Sequence, residues 1–217
     1  VSTLDQVLSF FQIDPTGLDN KARRMPIEIP NVGRRHLAQL FAHLEFRLGS
    51  EIGVEQGAYA EELLRHNPGL HLLAVDAWQA YRGYREHVSQ DKLEGFYAST
   101  QQRLAPYHVT YIRKFSVDAA KGIENGSLDF AYIDANHSLQ SVIQDIHAWL
   151  PKVRSGGIVA GHDYCQRRQS GYQVHVVEAV KAWASAYFVY PWFVLGSKEI
   201  VDGRERDRPR SWMWVKP

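Results

Sequence analysis

The chain holds a single cysteine, Cys165, among 217 residues, so it can form no internal disulfide. That scarcity suits a reducing compartment. No apolar run approaches the roughly 18 residues that a membrane-spanning helix needs. Neither sign of charge dominates: 25 Lys and Arg stand against 24 Asp and Glu. A net charge of +1 gives no broad basic footprint for DNA or RNA. The opening residues, VSTLDQVLSF, lack the basic stretch that begins a secretory signal. There is no internal repeat and no low-complexity tract. What remains is a globular composition, 45% hydrophobic, of a size that suits one domain spanning residues 1–217 and a cytoplasmic location.

Two regions differ in pattern. Residues 1–47 read as a helical cap, with helices in STLDQVLSFF and RRHLAQLFAHLEF joined by the Pro- and Gly-containing loop PTGLDNKARRMPIEIPNVG. Residues 48–217 read as an α/β core. Strands are predicted in LGSEIGV, HLLAVDA, HVTYIRK, LDFAYID and GGIVAGHD. Helices are predicted in AYAEELLRH, from Glu86 to Leu104, and in VDAAKGI, SLQSVIQDIHAWL and YQVHVVEAVKAWASAY. Such alternation implies a mostly parallel sheet covered on both faces. WFVLGSK and SWMWVKP have no helix between them, so they are expected as a hairpin that adds an antiparallel C-terminal strand. Ligands in these sheets bind at the carboxyl ends of the strands. One cleft is therefore predicted from Glu51–Gly57, Asp76–Trp78, Phe115–Asp118, Asp134–His137 and His162–Tyr164.

The turn in EIGVEQG has glycines for close backbone approach but not the G-x-G-x-x-G spacing of a dinucleotide site. Glu55 stands where a pyrophosphate would be repelled. Asp76 ends the next strand, placed to accept bonds from ribose hydroxyls. A ribose without phosphate, among carboxylates, points to a sulfonium nucleoside. The ordered set EIGVEQG, VDAW, YIDANHS and GGIVAGHDY resembles the class I S-adenosylmethionine-dependent methyltransferases over roughly residues 48 to 217. Within them it is most similar to small-molecule O-methyltransferases, including metal-dependent ones acting on catechols and sugars. The resemblance implies a doubly wound, Rossmann-like fold. It places Glu51, Gly53, Glu55 and Gly57 at the methionine end of the cofactor, with Asp134 beside them. It gives Asp76 to the ribose, Trp78 and Ser116 to the adenine, and Asp118 to its neighbourhood.

Methyl transfer to a hydroxyl needs positioning and removal of a proton. A hard divalent cation helps by stabilising negative charge on the oxygen. Asp134 and Asp163 end two strands and are able to meet on one Mg²⁺ if those strands are neighbours. The metal-dependent relatives place acids at both positions. The chain departs from their third ligand: Tyr164 follows Asp163, and His162 is the substitute expected, with His137 a second. His137 and His162 are also the candidates for a general base, since each lies within three residues of a strand-end acid. His36, His43, His66, His71 and His147 are read as structural, and Cys165 as a small packed thiol.

WQAYRGYREH and YCQRRQSGY are expected to wall an acceptor site for a hydroxylated small molecule, a sugar favoured, with Arg82, Arg85, Arg167 and Arg168 nearby. DANHS replaces the Asn/Asp-Pro-Pro-aromatic run of base methyltransferases, which argues against amine chemistry on nucleobases. The N-terminal helices and aromatic tail strands offer a homodimer interface. Competing readings are a silent or chemically different S-adenosylmethionine-binding protein of the same fold, and an NAD-dependent oxidoreductase.

Overall fold

The computed structural model describes residues 1–16, 18, 25–81, 89–169 and 172–217. Its elements are α1 (Thr3–Phe10), β1 (Ile27–Ile29), α2 (Arg34–His43), β2 (Leu48–Ile52), α3 (Ala58–His66), β3 (His71–Asp76), α4 (Gln90–Leu104), β4 (Val109–Arg113), α5 (Ser116–Ala120), β5 (Leu128–Ile133), α6 (Leu139–Trp149), β6 (Val153–Gly161), β7 (Arg167–Gln169), β8 (Tyr172–Val174), α7 (Val176–Ala186), β9 (Phe193–Leu195) and β10 (Trp212–Val215). Among the described residues, eight strands form one sheet in the order β1-β9-β10-β6-β5-β2-β3-β4. β10 runs antiparallel to β6 and β9, and the other pairings in this sheet are parallel. The expected doubly wound sheet with a reversed C-terminal strand is what the chain forms.

Side chains alternate across each strand, and here both faces are covered. Leu72, Ala74, Phe130 and Tyr132 join one buried cluster with residues of α1, α2 and α3. Leu73, Val75, Ala131 and Ile133 join a second with residues of α5, α6 and α7. The helices match their stripes. α1 starts at a capping box in which Asp5 N–H donates to Ser2 Oγ and Ser2 N–H donates to Asp5 Oδ2. α2 buries Leu37, Ala38, Leu40 and Phe41.

Phe41 ties the N-terminal segment to the sheet. Its ring stacks on Phe130 at 4.2 Å between centroids and on Phe46 at 5.7 Å. Gly49 makes room for Phe130, since a Cβ there would fall 2.1 Å from the ring. Phe41 is fully buried, so Phe41→Ala is expected to cost about 3–5 kcal/mol in a urea titration. A loss under about 1 kcal/mol would mean that α2 is only loosely docked.

Three expectations change. PIEIP, read as loop, contains β1, an edge strand that pairs in parallel with β9. Tyr172–Val174, read as the start of the last helix, is β8, paired antiparallel with β7. α7 then begins at Val176. The helix expected from Glu86 is described from Gln90, and Arg82, Arg85 and Glu86 lie outside the described residues. So do the side chains of Arg167 and Arg168. No described helix is long and apolar enough to cross a membrane.

Candidate active site

A cavity of about 750 Å³ opens at the carboxyl ends of β2 to β6. Of the residues singled out in the sequence, Glu51, Gly53, Glu55, Asp76, Ser116, Asp134, His137, His162 and Asp163 line it. Gly57, Trp78, Asp118 and Tyr164 do not.

The glycine turn after β2 is built by its neighbours. Gly53 has φ +91°, and its N–H donates to the Val75 carbonyl at 2.8 Å. Asp134 N–H donates to the Ile52 carbonyl at 2.7 Å, which draws the ends of β2 and β5 together. Asp76 pins the turn: Oδ2 accepts from Val54 N–H at 3.0 Å and Glu55 N–H at 2.9 Å, and Oδ1 accepts from Trp78 N–H at 2.8 Å. A carboxylate oxygen carries more than one lone pair, so Asp76 retains capacity for a ligand hydroxyl. Gly57 caps α3 in the left-handed region, behind the turn.

Trp78 lies beneath the turn instead of on the cavity wall. It is 1% exposed, donates Nε1–H to the Glu55 carbonyl at 2.8 Å and packs on Tyr97. Asp118 points to solvent and pairs with Lys121 at 2.6 Å. Tyr164 turns into the core under the Arg210 guanidinium, and burial pushes its phenol up to about 12. It offers nothing to a metal.

Glu51 is 2% exposed, and its Oε2 has no hydrogen-bond partner among the described residues. Burial, reinforced by Asp134, pushes its carboxyl well above the usual range, while Arg34 pulls it back. Ser116 accepts from Trp149 Nε1–H at 2.9 Å. Beside it lies Asp145, which the sequence reading passed over. It sits on the buried stripe of α6 with Val142, Ile146 and Trp149, and lines the cavity. Burial pushes it up to about 6, partly offset by Ser116 and His137. An acid on an otherwise apolar helical stripe was the signal. Arg34, the first residue of α2, also lines the cavity and was also passed over.

At the far end, two histidines and two acids converge. His137 Nε2 is 2.8 Å from Asp163 Oδ2 and 3.5 Å from Asp134 Oδ1. His162 Nδ1 is 3.6 Å from Asp134 Oδ2 and 3.8 Å from Asp163 Oδ2. Burial would lower the His137 pKa, but bonds to Asp134 and Asp163 outweigh it and raise it to about 11. Burial would raise Asp163, and bonds from His137 and His162 bring it well below the carboxylate range instead. Both shifts favour the charged form of His137 between the two carboxylates.

Asp134, His162 and Asp163 each offer one ligand atom, all within 4.8 Å of one another. Two carboxylates and an imidazole fit a divalent ion. His137 Nε2 lies against both of these carboxylates.

The central strand β2 ends in the glycine turn, the neighbouring strand ends in a ribose-competent acid, and the sheet carries a reversed strand between β6 and β9. This combination defines a class I S-adenosylmethionine-dependent methyltransferase. The sequence profile of the methyltransferase-domain family Methyltransf_24 matches residues 50–164, more than half of the chain, and the chain belongs to that family. The structure is similar to that of the O-methyltransferase from Bacillus cereus in complex with SAH, with TM-score 0.57, 17% identity and coverage of 99% of this chain and 90% of that one. It is similar too to the O-methyltransferase TomG of Streptomyces achromogenes, involved in tomaymycin synthesis and solved with SAM, with TM-score 0.55, 17% identity and coverage of 99% and 89%. Among curated sequences, "Uncharacterized protein y4gI" of Sinorhizobium fredii is 24% identical over 168 residues, or 72% of this chain. The match spans only 17% of that relative's length.

Proposed function

We propose that the protein transfers the methyl group of S-adenosylmethionine to a hydroxyl of a small polyhydroxylated acceptor, with a sugar favoured. The observation that carries this reading is the Asp134, His137, His162 and Asp163 cluster. It lies at one end of a cavity whose other residues suit the cofactor. The O-methyltransferase neighbours in fold support it.

Glu51 and the turn at Gly53 would hold the methionine portion, Asp76 the ribose, and Ser116 the adenine edge. A divalent ion, Mg²⁺ or the more imidazole-tolerant Mn²⁺, would be held by Asp134, His162 and Asp163 and would supply a Lewis acid for the acceptor oxygen. His137, whose Nε2 lies beside Asp134 and Asp163, is placed to take the hydroxyl proton. The oxygen lone pair forms the new C–O bond as the C–S bond breaks, and S-adenosylhomocysteine leaves as a neutral thioether. Tyr81 and Phe115, edge to face at 5.5 Å, form an aromatic side of the opening, and Asn136 Nδ2–H donates to the Tyr81 hydroxyl at 2.9 Å.

Calorimetry with S-adenosylhomocysteine tests the cofactor reading, and a screen of hydroxylated acceptors with methyl-labelled cofactor tests the reaction. Binding is expected without metal, and turnover is expected to vanish in EDTA and return with Mg²⁺ or Mn²⁺. Full turnover in EDTA would remove the metal from the proposal. Methylation confined to amine acceptors would remove the hydroxyl.

A further inference from the structure

The reversed strand β10 brings one more polar group to the end of β6. Trp212 pairs with Gly161 in the ladder, directly before His162. Gly161 leaves the space for the indole: a Cβ there would lie 2.5 Å from Trp212 Cζ2 and 2.7 Å from Cε2, the carbon bonded to Nε1. Stacking on Trp214, at 5.1 Å between centroids, holds the ring in place. Trp212 is fully buried, yet its Nε1–H has no hydrogen-bond partner among the described residues. Buried indoles usually find an acceptor, and a buried donor left alone is costly.

A second cavity, of about 10 Å³, shares His137, His162 and Asn136 with the active-site cavity and adds Trp212 to them. Its remaining walls, Ile133, Ala135, Val142 and Val176, are apolar. Such a volume has room for a single water molecule. Asn136 already bonds the Ser138 N–H and the Tyr81 hydroxyl. His137 turns Nε2 toward Asp134 and Asp163, and His162 turns Nδ1 toward the same pair. Of the two, His162 is the one that follows the residue under the indole, and its Nε2 is the nitrogen not directed at the acids.

We infer that Trp212 is a positioning residue for His162, acting through one water molecule held in this second cavity. The indole N–H donates to the water, and the water bonds His162 Nε2. Water donates to a bare nitrogen and accepts from a protonated one, so it steadies the ring in either tautomer. The ring then keeps Nδ1 aimed at the two carboxylates, the orientation that a shared metal ion needs. The effect on ion binding rests on the metal reading above; the water and the ring orientation do not.

The test replaces the indole N–H of Trp212 by sulfur, as Trp212→benzothienylalanine, which keeps the shape of the ring. Wild type and variant are crystallised without metal, Mn²⁺ binding is followed by electron paramagnetic resonance, and S-adenosylhomocysteine binding by calorimetry. Wild-type crystals are expected to show one ordered water within hydrogen-bond reach of both Trp212 Nε1 and His162 Nε2. In the variant, the water is expected to lose its order and the His162 ring to take a second orientation. Its Mn²⁺ affinity is expected to fall by about 10- to 100-fold, the scale of a lost partner behind a metal ligand, with S-adenosylhomocysteine affinity within about 3-fold of wild type. A merely structural role for Trp212 would weaken both ligands alike, and that result would overturn the inference. So would a dry cavity in the wild type, or a variant that binds Mn²⁺ as wild type does. The wild-type crystals decide the matter even if the variant fails to fold. A wild type that binds no Mn²⁺ would instead reject the metal reading, and a single, unchanged His162 orientation in the variant would then overturn the inference.

Discussion

Gly53→Ala is expected to abolish S-adenosylhomocysteine binding and to cost the fold about 2–5 kcal/mol, the sum of backbone strain and overpacking. At φ +91° an added side chain is strained whatever the space around it. Here there is also no space: the new Cβ would lie 2.2 Å from the Asp134 carbonyl oxygen and 2.8 Å from Ala135 Cα. Both are backbone atoms and cannot rotate aside. Relief requires the ends of β2 and β5 to separate, which moves Asp134 and the turn together. Gly57→Ala is the control. Its φ of +74° carries strain, but the nearest atoms are side-chain atoms of Thr100 and Leu104 at 3.1 and 3.4 Å. A cost of about 1–2 kcal/mol is expected there, with binding retained. Calorimetry and urea titration of both variants read the contrast. A Gly53→Ala protein that binds as well as wild type would show that the turn is not the cofactor's floor.

His137→Gln is expected to lower turnover by about 10²–10⁴-fold, the usual scale for a lost acid or base. It also changes how stability depends on pH in metal-free protein. The His137 pKa is raised from 6.5 to about 11, so its contribution is complete below pH 6.5 and is lost as pH rises through 11. Asp163 is depressed from 3.8, so its contribution is present above that pH and is lost on acidification. The pair is therefore strongest between about pH 4 and 6.5. Thermal melts in EDTA should show the largest gap between wild type and His137→Gln in that window, narrowing steadily toward pH 10. A gap that stays constant with pH would mean that His137 is not charged in the folded state.

Much of the fold was legible because the sheet is buried on both faces. Strands such as HLLAVD and LDFAYI read as short apolar runs that end in polar residues, and helices between them carry clear stripes. The strand-end acids and histidines were visible for the same reason: a charge where an apolar strand stops lies at the rim of the core. The misses have physical causes. β1 is three residues between two prolines, and its partner β9 lies far along the chain, so no local pattern announces it. Asp145 and Arg34 reach the cavity from helices, not from the strand ends where ligands of such sheets are expected. Trp78 sits next to the ribose acid in sequence, yet a positive φ of 40° turns its indole under the turn. The charge state of His137 depends on two acids brought to it by different strands, which spacing alone does not convey.

The edge strand β1 bears on how one wall of the cavity is held. Ile29 accepts from Gly196 N–H at 2.7 Å, Glu28 pairs with Arg210 at 2.7 Å, and Asn31 accepts from Glu205 N–H at 2.8 Å. With Asp207 on the Arg34 backbone, these bonds seat the start of α2 on segments roughly 170 residues further along the chain. Substitution of Asp207 is therefore expected to loosen the start of α2 and so a cavity wall that Asp207 does not itself line.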